Sequence, residues 1–350
     1  MLARPCAHAG VAAVIAAGVG NRVLYRLALV PMRDHVFALA QLQNLGYIGI
    51  YSSLLALRYR QGKVTREMLA VPKGSFLLIG ACEALAQLLL MAGAAHLPGA
   101  LLPLLMQTSL LWQVAFSAAL LGTRPTAAQL AGVLLVAGGV ALASLPPSAL
   151  GAAGGAPLVG PGDAKHVALC VASFAFPSLA VIVKERIFRE ARRTLGRDLD
   201  VLVVNAFGSA AQAVFVLALM PLITAARGLP LSALPAALAA GGRALAGLPP
   251  AAGGPPPPGA PLFPAAYVLV NVAFNISALL LVRSAGAVPA SLTMACLVPL
   301  SVLAFSLPLP LLPPAALGPG FWGGSALLMA GLAAYNWGSL KGGGGGAKGE

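Results

Sequence analysis

Long apolar runs, separated by mostly short polar segments, follow one another along nearly the whole chain. The hydrocarbon core of a bilayer is about 30 Å thick, so a helix that crosses it needs roughly 20 apolar residues. Ten runs approach that size. They are residues 8–30, 34–57, 75–96, 99–121, 127–145, 165–184, 200–224, 264–283, 287–310 and 321–340. The pattern predicts an all-α integral membrane protein with ten transmembrane helices.

A stretch rich in proline, glycine and alanine divides these runs into two sets of five. The predicted units are a first five-helix repeat at 1–145, a linker at 146–164, a second five-helix repeat at 165–340 and a flexible tail at 341–350. Five plus five helices of opposite orientation are typical of an inverted repeat. The two sets close on similar segments, LLVAGGVAL and LLMAGLAAY.

Composition and charge agree with this pattern and set an orientation. Hydrophobic residues make up 59% of the chain, charged residues 9%, and the mean hydropathy is +0.89, which excludes a soluble domain. The net charge of +13 would suggest nucleic acid in a soluble protein, but here sixteen basic residues fall on one side of the predicted membrane and four on the other. This positive-inside asymmetry places both termini on the cytosolic or stromal side, and no nucleic-acid partner is expected.

Two further polar gaps, 185–199 and 225–263, follow the sixth and seventh spans. The second contains PPAAGGPPPPGAP, and we expect no regular helix in it because proline disrupts helix interiors. The four cysteines are Cys6, Cys82, Cys170 and Cys296. They share no CxxC spacing, so we expect them to pack in the core and to form neither a disulfide framework nor a metal site.

Polar side chains recur at helical spacing inside several predicted spans. Hydrocarbon makes a buried amide costly, so such residues either mark the route of a solute or hydrogen-bond one helix to another. The fifth and tenth spans are almost free of interior polar groups and carry glycines, which predicts close packing. If the polar side chains served only to hydrogen-bond helices to one another, these two spans should carry them as well. We therefore predict that the polar side chains line a central cavity. The candidate substrate-binding residues are Arg22, Gln41, Asn44, Glu83, Gln87, Gln107, Asn205, Gln212, Asn271 and Asn275.

Glu83 is the one carboxylate well inside a predicted span. It is either a proton-coupling group or the partner of an arginine in the first span, Arg22 or Arg26. A neighbouring cation and burial act in opposite directions on the pKa of a carboxyl group, so the residues leave both alternatives open.

Several long segments have a recognisable order. They include GNRVLYRLALVPM at 20–32, YRQGKVTREMLAVPK at 59–73, QTSLLWQVAFSAALLG at 107–122, LDVLVVNAFGSAAQA at 199–213 and NVAFNISALLLVRSAGAVPASL from Asn271. In these the chain resembles the plant and algal chloroquine-resistance-transporter-like family of the drug/metabolite transporter superfamily. The resemblance implies the drug/metabolite transporter fold, alternating access, and a plastid-envelope protein that moves the thiol peptides γ-glutamylcysteine and glutathione. Such net-anionic zwitterions suit Arg22 and the amide side chains.

Other functions are weighed against this one. The nearest alternative is a drug/metabolite carrier for an amino acid, a nucleotide sugar or a phosphorylated sugar, although the seventh, ninth and tenth spans lack the interior basic residues that phosphate favours. A membrane enzyme is disfavoured because His8, His35, His96 and His166 are scattered without an acidic cluster. We expect no catalytic residues and no cofactor. The chain has no GxxxxGK[ST] motif, which favours transport driven by gradients or exchange.

Overall fold

The computed structural model describes residues 4–94, 105–106, 108–144, 164–225, 228, 230–251, 253–312 and 319–342. The helices, numbered in chain order, are α1 (Arg4–Leu29), α2 (Val36–Arg60), α3 (Arg66–Leu69), α4 (Gly74–Ala94), α5 (Thr108–Leu121), α6 (Ala127–Ser144), α7 (Ala164–Ser173), α8 (Ala175–Leu195), α9 (Val201–Ala218), α10 (Met220–Ala225), α11 (Leu234–Leu245), α12 (Leu262–Ala285), α13 (Ala287–Phe305) and α14 (Pro319–Gly342). The predicted linker, except its last residue, and Gln107 lie outside the described residues.

The expected all-helical class is confirmed, with four stretches long and apolar enough to cross a membrane. These are Val11–Leu29, Ala164–Leu195, Val201–Ala218 and Leu262–Ala285. Large side chains on these and neighbouring helices point outward, among them Leu217 at 68% and Leu45 at 67% exposure, as a lipid-facing surface requires. The number of ten spanning helices and their division into two inverted repeats stay predictions.

The predicted polar gap at 185–199 is mostly helix, because α8 continues to Leu195 and ends at Gly196 in the left-handed conformation. The sixth predicted span ends at residue 184, and the helix continues beyond it for a physical reason. Ile187, Phe188 and Ala191 form a buried stripe on this part of α8, while charged side chains occupy the other face. An amphipathic helix can therefore extend beyond an apolar span.

The 225–263 loop also contains a helix, α11, which the proline content did not predict. Pro235 lies in the first turn of α11, where a missing backbone N–H removes no helical hydrogen bond. The helix packs on α2 at Gly241, whose missing Cβ would lie 2.2 Å from the Cβ of Ala38. The expectation of no regular helix there was wrong because the prolines flank α11 instead of interrupting it.

Helices α6 and α14 form the most extensive helix pair among the described residues. A Cβ added to Gly132 would lie 2.6 Å from the Gly331 carbonyl oxygen, and one added to Gly139 would lie 2.5 Å from the Leu328 nitrogen. Only glycine permits two backbones to come this close. The predicted close packing of the fifth and tenth spans is therefore confirmed.

The remaining helices enclose the polar side chains. Helix α1 packs on α12 and α13, α2 packs on α9 and α12, α4 packs on α7, α8 and α9, and α5 packs on α8 and α13. At Gly80 a Cβ would lie 2.5 Å from the Ala211 and Gln212 backbone, so α4 and α9 are in direct backbone contact. The inner helices α1, α2, α4, α8, α9 and α12 carry the candidate site.

Candidate functional site

The hydroxyl of Tyr47 on α2 is the centre of a hydrogen-bond network. It accepts from Gln43 Nε2 at 2.7 Å and from Asn275 Nδ2 at 3.2 Å, and it donates to Asn271 Oδ1 on α12. Gln43 lies one turn before Tyr47, and Asn271 lies one turn before Asn275. Two helical stripes thus meet at one hydroxyl.

The network extends to α1 and along α12. Asn271 Nδ2 donates to Asn21 Oδ1 at 2.8 Å, and the Tyr267 hydroxyl donates to Gln43 Oε1 at 2.9 Å. Asn275 Nδ2 also lies 2.9 Å from Asn271 Oδ1. The structure therefore brings Asn271 and Asn275 together as the sequence predicts, and it uses them to join α1, α2 and α12.

Glu83 on α4 forms an ion pair with Lys184 on α8, with 3.1 Å between Oε1 and Nζ. Of the two alternatives for Glu83, pairing with an arginine of the first span was wrong, and proton coupling stays a prediction. Lys184, assigned from sequence to the end of a span, lies in the middle of the longer helix α8, from which its side chain reaches α4. The network and the ion pair lie on neighbouring helices, since α2 and α4 both pack on α9. We call these two groups together the polar belt: Asn21, Gln43, Tyr47, Tyr267, Asn271, Asn275, Glu83 and Lys184.

Four buried polar atoms next to this belt have no hydrogen-bond partner among the described residues. They are Gln41 Nε2, Asn44 Nδ2, Tyr51 Oη and Asn205 Nδ2. Tyr51 stacks on Tyr47 with 5.5 Å between ring centroids and packs with Leu202 and Ala206, which flank Asn205 on α9. A buried polar group left unpaired costs about 1–3 kcal/mol. All four atoms can donate, so the arrangement suits a ligand rich in acceptor oxygens.

The other predicted residues lie around the same helices. Arg22 follows Asn21 on α1, is partly buried, and has no carboxylate partner within the described part of the chain. Gln87 lies one turn after Glu83 on α4, and Gln212 lies on α9 at the Gly80 contact. Sequence reasoning missed Gln43, Tyr267 and Lys184. The i,i+4 spacing of Gln43 and Tyr47 could have indicated the first of these.

Charged residues cluster where α2, α8, α9 and α12 end or begin, and we call this cluster the arginine-rich end. Arg58 pairs with Asp200 at 2.9 Å, Arg197 pairs with Glu67 at 2.6 Å, and Arg283 Nη1 donates to the Leu199 carbonyl oxygen at 3.2 Å. Asp200 also accepts from the Leu202 backbone N–H and so caps α9. These contacts join segments that are distant in sequence.

A cavity of about 250 Å³ lies at the same end, between α8 and the turn that joins α12 to α13. Its two carboxylates are already paired, Glu185 with Arg189 and Asp198 with Arg192. Arg283 adds one further positive charge to its wall. The cavity is lined by none of the polar-belt residues.

Comparison with known proteins gives consistent similarities over most of the chain. Residues 9–250 match the model of the "CRT-like, chloroquine-resistance transporter-like" family. The Arabidopsis thaliana proteins "CLT2, chloroplastic" and "CLT1, chloroplastic" are 43% and 40% identical over 92% and 93% of this chain, which cover 74% and 72% of their own lengths. "Crt homolog 1" of Dictyostelium discoideum is 31% identical over 40% of this chain and 30% of its own. One solved crystal structure is similar over 97% of this chain and 99% of its own, with a TM-score of 0.54 and 18% identity, a likeness that concerns the fold alone.

Proposed function

This chain belongs to the chloroquine-resistance transporter-like family, and on that premise we propose that it is a secondary transporter of the plastid envelope. Its proposed substrates are the thiol peptides γ-glutamylcysteine and glutathione. Several relatives are named as chloroplastic, which supports a plastid membrane as its location. The proposed transport uses alternating access, with no catalytic step and both termini on the arginine-rich side.

The pairing of helices supports two inverted repeats. We assign the helices of the two halves to each other in chain order: α1 to α7 and α8, α2 to α9, α4 to α12, α5 to α13 and α6 to α14. The contact of α1 with α12 then has a counterpart in the contact of α4 with α7 and α8. In the same way, the contact of α1 with α13 corresponds to that of α5 with α8, and the contact of α2 with α12 corresponds to that of α4 with α9. Three further contacts each join a helix to its own counterpart, and exchanging the halves leaves them unchanged: α2 with α9, α5 with α13 and α6 with α14. A pseudo-twofold axis produces this pattern, and the two halves it relates are those that rock in alternating access.

The observation that carries the proposal is the set of unpaired donors beside the polar belt. Side chains that only joined helices would satisfy one another, as Tyr47, Asn271 and Asn275 do. Asn44 and Asn205 instead present amide N–H groups, on two helices that pack together, without an acceptor among the described residues. A thiol peptide offers carboxylate and amide oxygens to such donors, and Arg22 supplies a positive charge on α1.

The test replaces one unpaired donor and compares transport with a matched variant. Asn205→Ala should raise the KM for γ-glutamylcysteine uptake into proteoliposomes about tenfold, because a hydrogen bond to a charged group contributes about 1.5–3 kcal/mol. It should leave thermal stability unchanged or higher, since an unpaired polar atom is removed. Ser277→Ala removes a hydroxyl that, among the described residues, bonds to its own helix at the Ala273 carbonyl oxygen, and it should leave the KM unchanged. An unchanged KM in Asn205→Ala would remove the main support for this site.

A further inference from the structure

The Glu83–Lys184 ion pair lies among the helices of the candidate site, whereas the other ion pairs of the described residues lie at the arginine-rich end. It joins α4 to α8, which belong to different proposed halves, and α4 packs on α9 together with α2, the helix of Tyr47. Its side chains are 28% and 20% exposed, so each is partly open instead of sealed in the core. The pair therefore spans the boundary between the proposed halves, on helices that carry the candidate site.

This ion pair is also incompletely hydrogen-bonded. An ammonium group has three N–H donors and a carboxylate has about four acceptor positions, yet within the described part of the chain the two groups have only each other. Asp200, by contrast, accepts from both Arg58 and the Leu202 backbone. An ion pair that only stabilises a fold needs further hydrogen bonds to offset the desolvation of its charges. The free positions on Glu83 and Lys184 can receive a ligand.

We propose that the α-amino-acid group of the solute inserts between Glu83 and Lys184. The solute carboxylate binds the Lys184 ammonium, and the solute ammonium binds the Glu83 carboxylate. One ion pair becomes two, and no charge is left unpaired, which avoids leaving a partly buried charge without a counter-ion. This inference rests on the proposed function, because the glutamyl residue of both thiol peptides carries a free α-amino and α-carboxylate group.

Insertion determines which solutes are recognised. A solute whose amino group is acetylated still brings a carboxylate to Lys184, but it leaves Glu83 without a cation. N-acetyl-γ-glutamylcysteine should therefore bind about 10- to 100-fold more weakly than γ-glutamylcysteine, which is the range for one hydrogen bond between charged groups. Free glutamate, which has the same α-amino-acid group, should compete. The recognised class is a zwitterionic headgroup, whatever side chain follows it.

The experiment measures binding separately from transport. The apparent melting temperature of the purified full-length protein in detergent is recorded against concentration of γ-glutamylcysteine, its N-acetyl derivative and glutamate, because a ligand that binds the folded state raises that temperature. γ-Glutamylcysteine and glutamate should stabilise the parent protein at concentrations at least about tenfold below those needed of the N-acetyl derivative. Equal stabilisation by the N-acetyl derivative, or none by either zwitterion, would overturn insertion.

Variants of the pair complete the test. The neutral double variant Glu83→Gln/Lys184→Gln should bind γ-glutamylcysteine at least about tenfold more weakly and should lose the discrimination against the N-acetyl form. The reversed pair Glu83→Lys/Lys184→Glu keeps both charges. The zwitterion should bind it the other way round, with its carboxylate at position 83 and its ammonium at position 184. It covers the case in which the neutral variant fails to fold.

A surface pair provides the matched control. Arg192→Gln/Asp198→Asn removes an exposed ion pair and should behave as the parent. Parental discrimination in the neutral variant would refute the proposal. If the zwitterions stabilise the protein but thiol peptides are not taken up by proteoliposomes, the thiol-transport assignment fails while insertion stands.

Discussion

The contact between α6 and α14 gives a prediction that can be worked out quantitatively. A methyl group on Gly132 would lie 2.6 Å from both the Gly331 carbonyl oxygen and the Tyr335 nitrogen, and one on Gly139 would lie 2.5 Å from the Leu328 nitrogen. Ordinary contacts of this kind need roughly 3.5–4 Å. The two backbones would have to separate by about 1 Å at each position, and neither can move aside as a flexible side chain would.

The double variant Gly132→Ala/Gly139→Ala should therefore be destabilised. Overpacking costs about 1–3 kcal/mol per site, and the better helix propensity of alanine returns about 0.5–1 kcal/mol. Mid-range values at the two sites together give a net loss of about 2–3 kcal/mol, and less if one separation of the helices relieves both contacts. At about 2–4 °C per kcal/mol the melting temperature should fall by several degrees.

The assay is the monodisperse fraction that remains after heating in detergent, measured by size-exclusion chromatography. Gly49→Ala on α2 is the control, because a Cβ there would have no atom within 4 Å. It should be neutral or stabilising by up to about 1 kcal/mol. If the double variant melted at or above the temperature of Gly49→Ala, the close approach of α6 and α14 would be refuted.

Two further predictions concern hydrogen bonds. Tyr47→Phe leaves the amides of Gln43, Asn271 and Asn275 short of a partner and should cost about 1–3 kcal/mol in thermal stability; parental stability would show that the hydroxyl is not the centre of the network. Asp200→Asn keeps a side chain that can cap α9 and should lose less than 1 kcal/mol, since the Arg58 partner is 47% exposed and the ion pair is screened. Asp200→Ala removes the cap as well and should lose about 1 kcal/mol more; equal melting temperatures for the two variants would contradict the capping role.

The positions of the long apolar helices could be predicted from the sequence, because a helix that crosses a membrane needs a long apolar run. The glycines of the fifth and tenth spans were equally informative, since only close packing explains their position. The secondary structure of the polar segments was harder to predict. The buried stripe of Ile187 and Phe188 continues a helix that hydropathy alone ends at Lys184. Pro235 stops no helix because it lies in the first turn.

The candidate site was predictable as a set of helices but not as a set of contacts. Helical spacing placed Asn271 and Asn275 on one face, which the structure confirms as neighbours. Which helix faces which is decided by packing over the whole molecule, so the partner of Glu83 could not be read from the sequence and proved to be Lys184. For the same reason the unpaired donors, such as Asn205, became visible only once their surroundings were defined.

The most direct test of the proposed function is uptake of labelled γ-glutamylcysteine and glutathione by proteoliposomes that contain the purified protein. We expect saturable uptake, accelerated when unlabelled thiol peptide is loaded inside, as a carrier that exchanges its solute requires. Unlabelled thiol peptides should compete, whereas nucleotide sugars and phosphorylated sugars should not. Competition by those sugars without competition by thiol peptides would contradict the assignment.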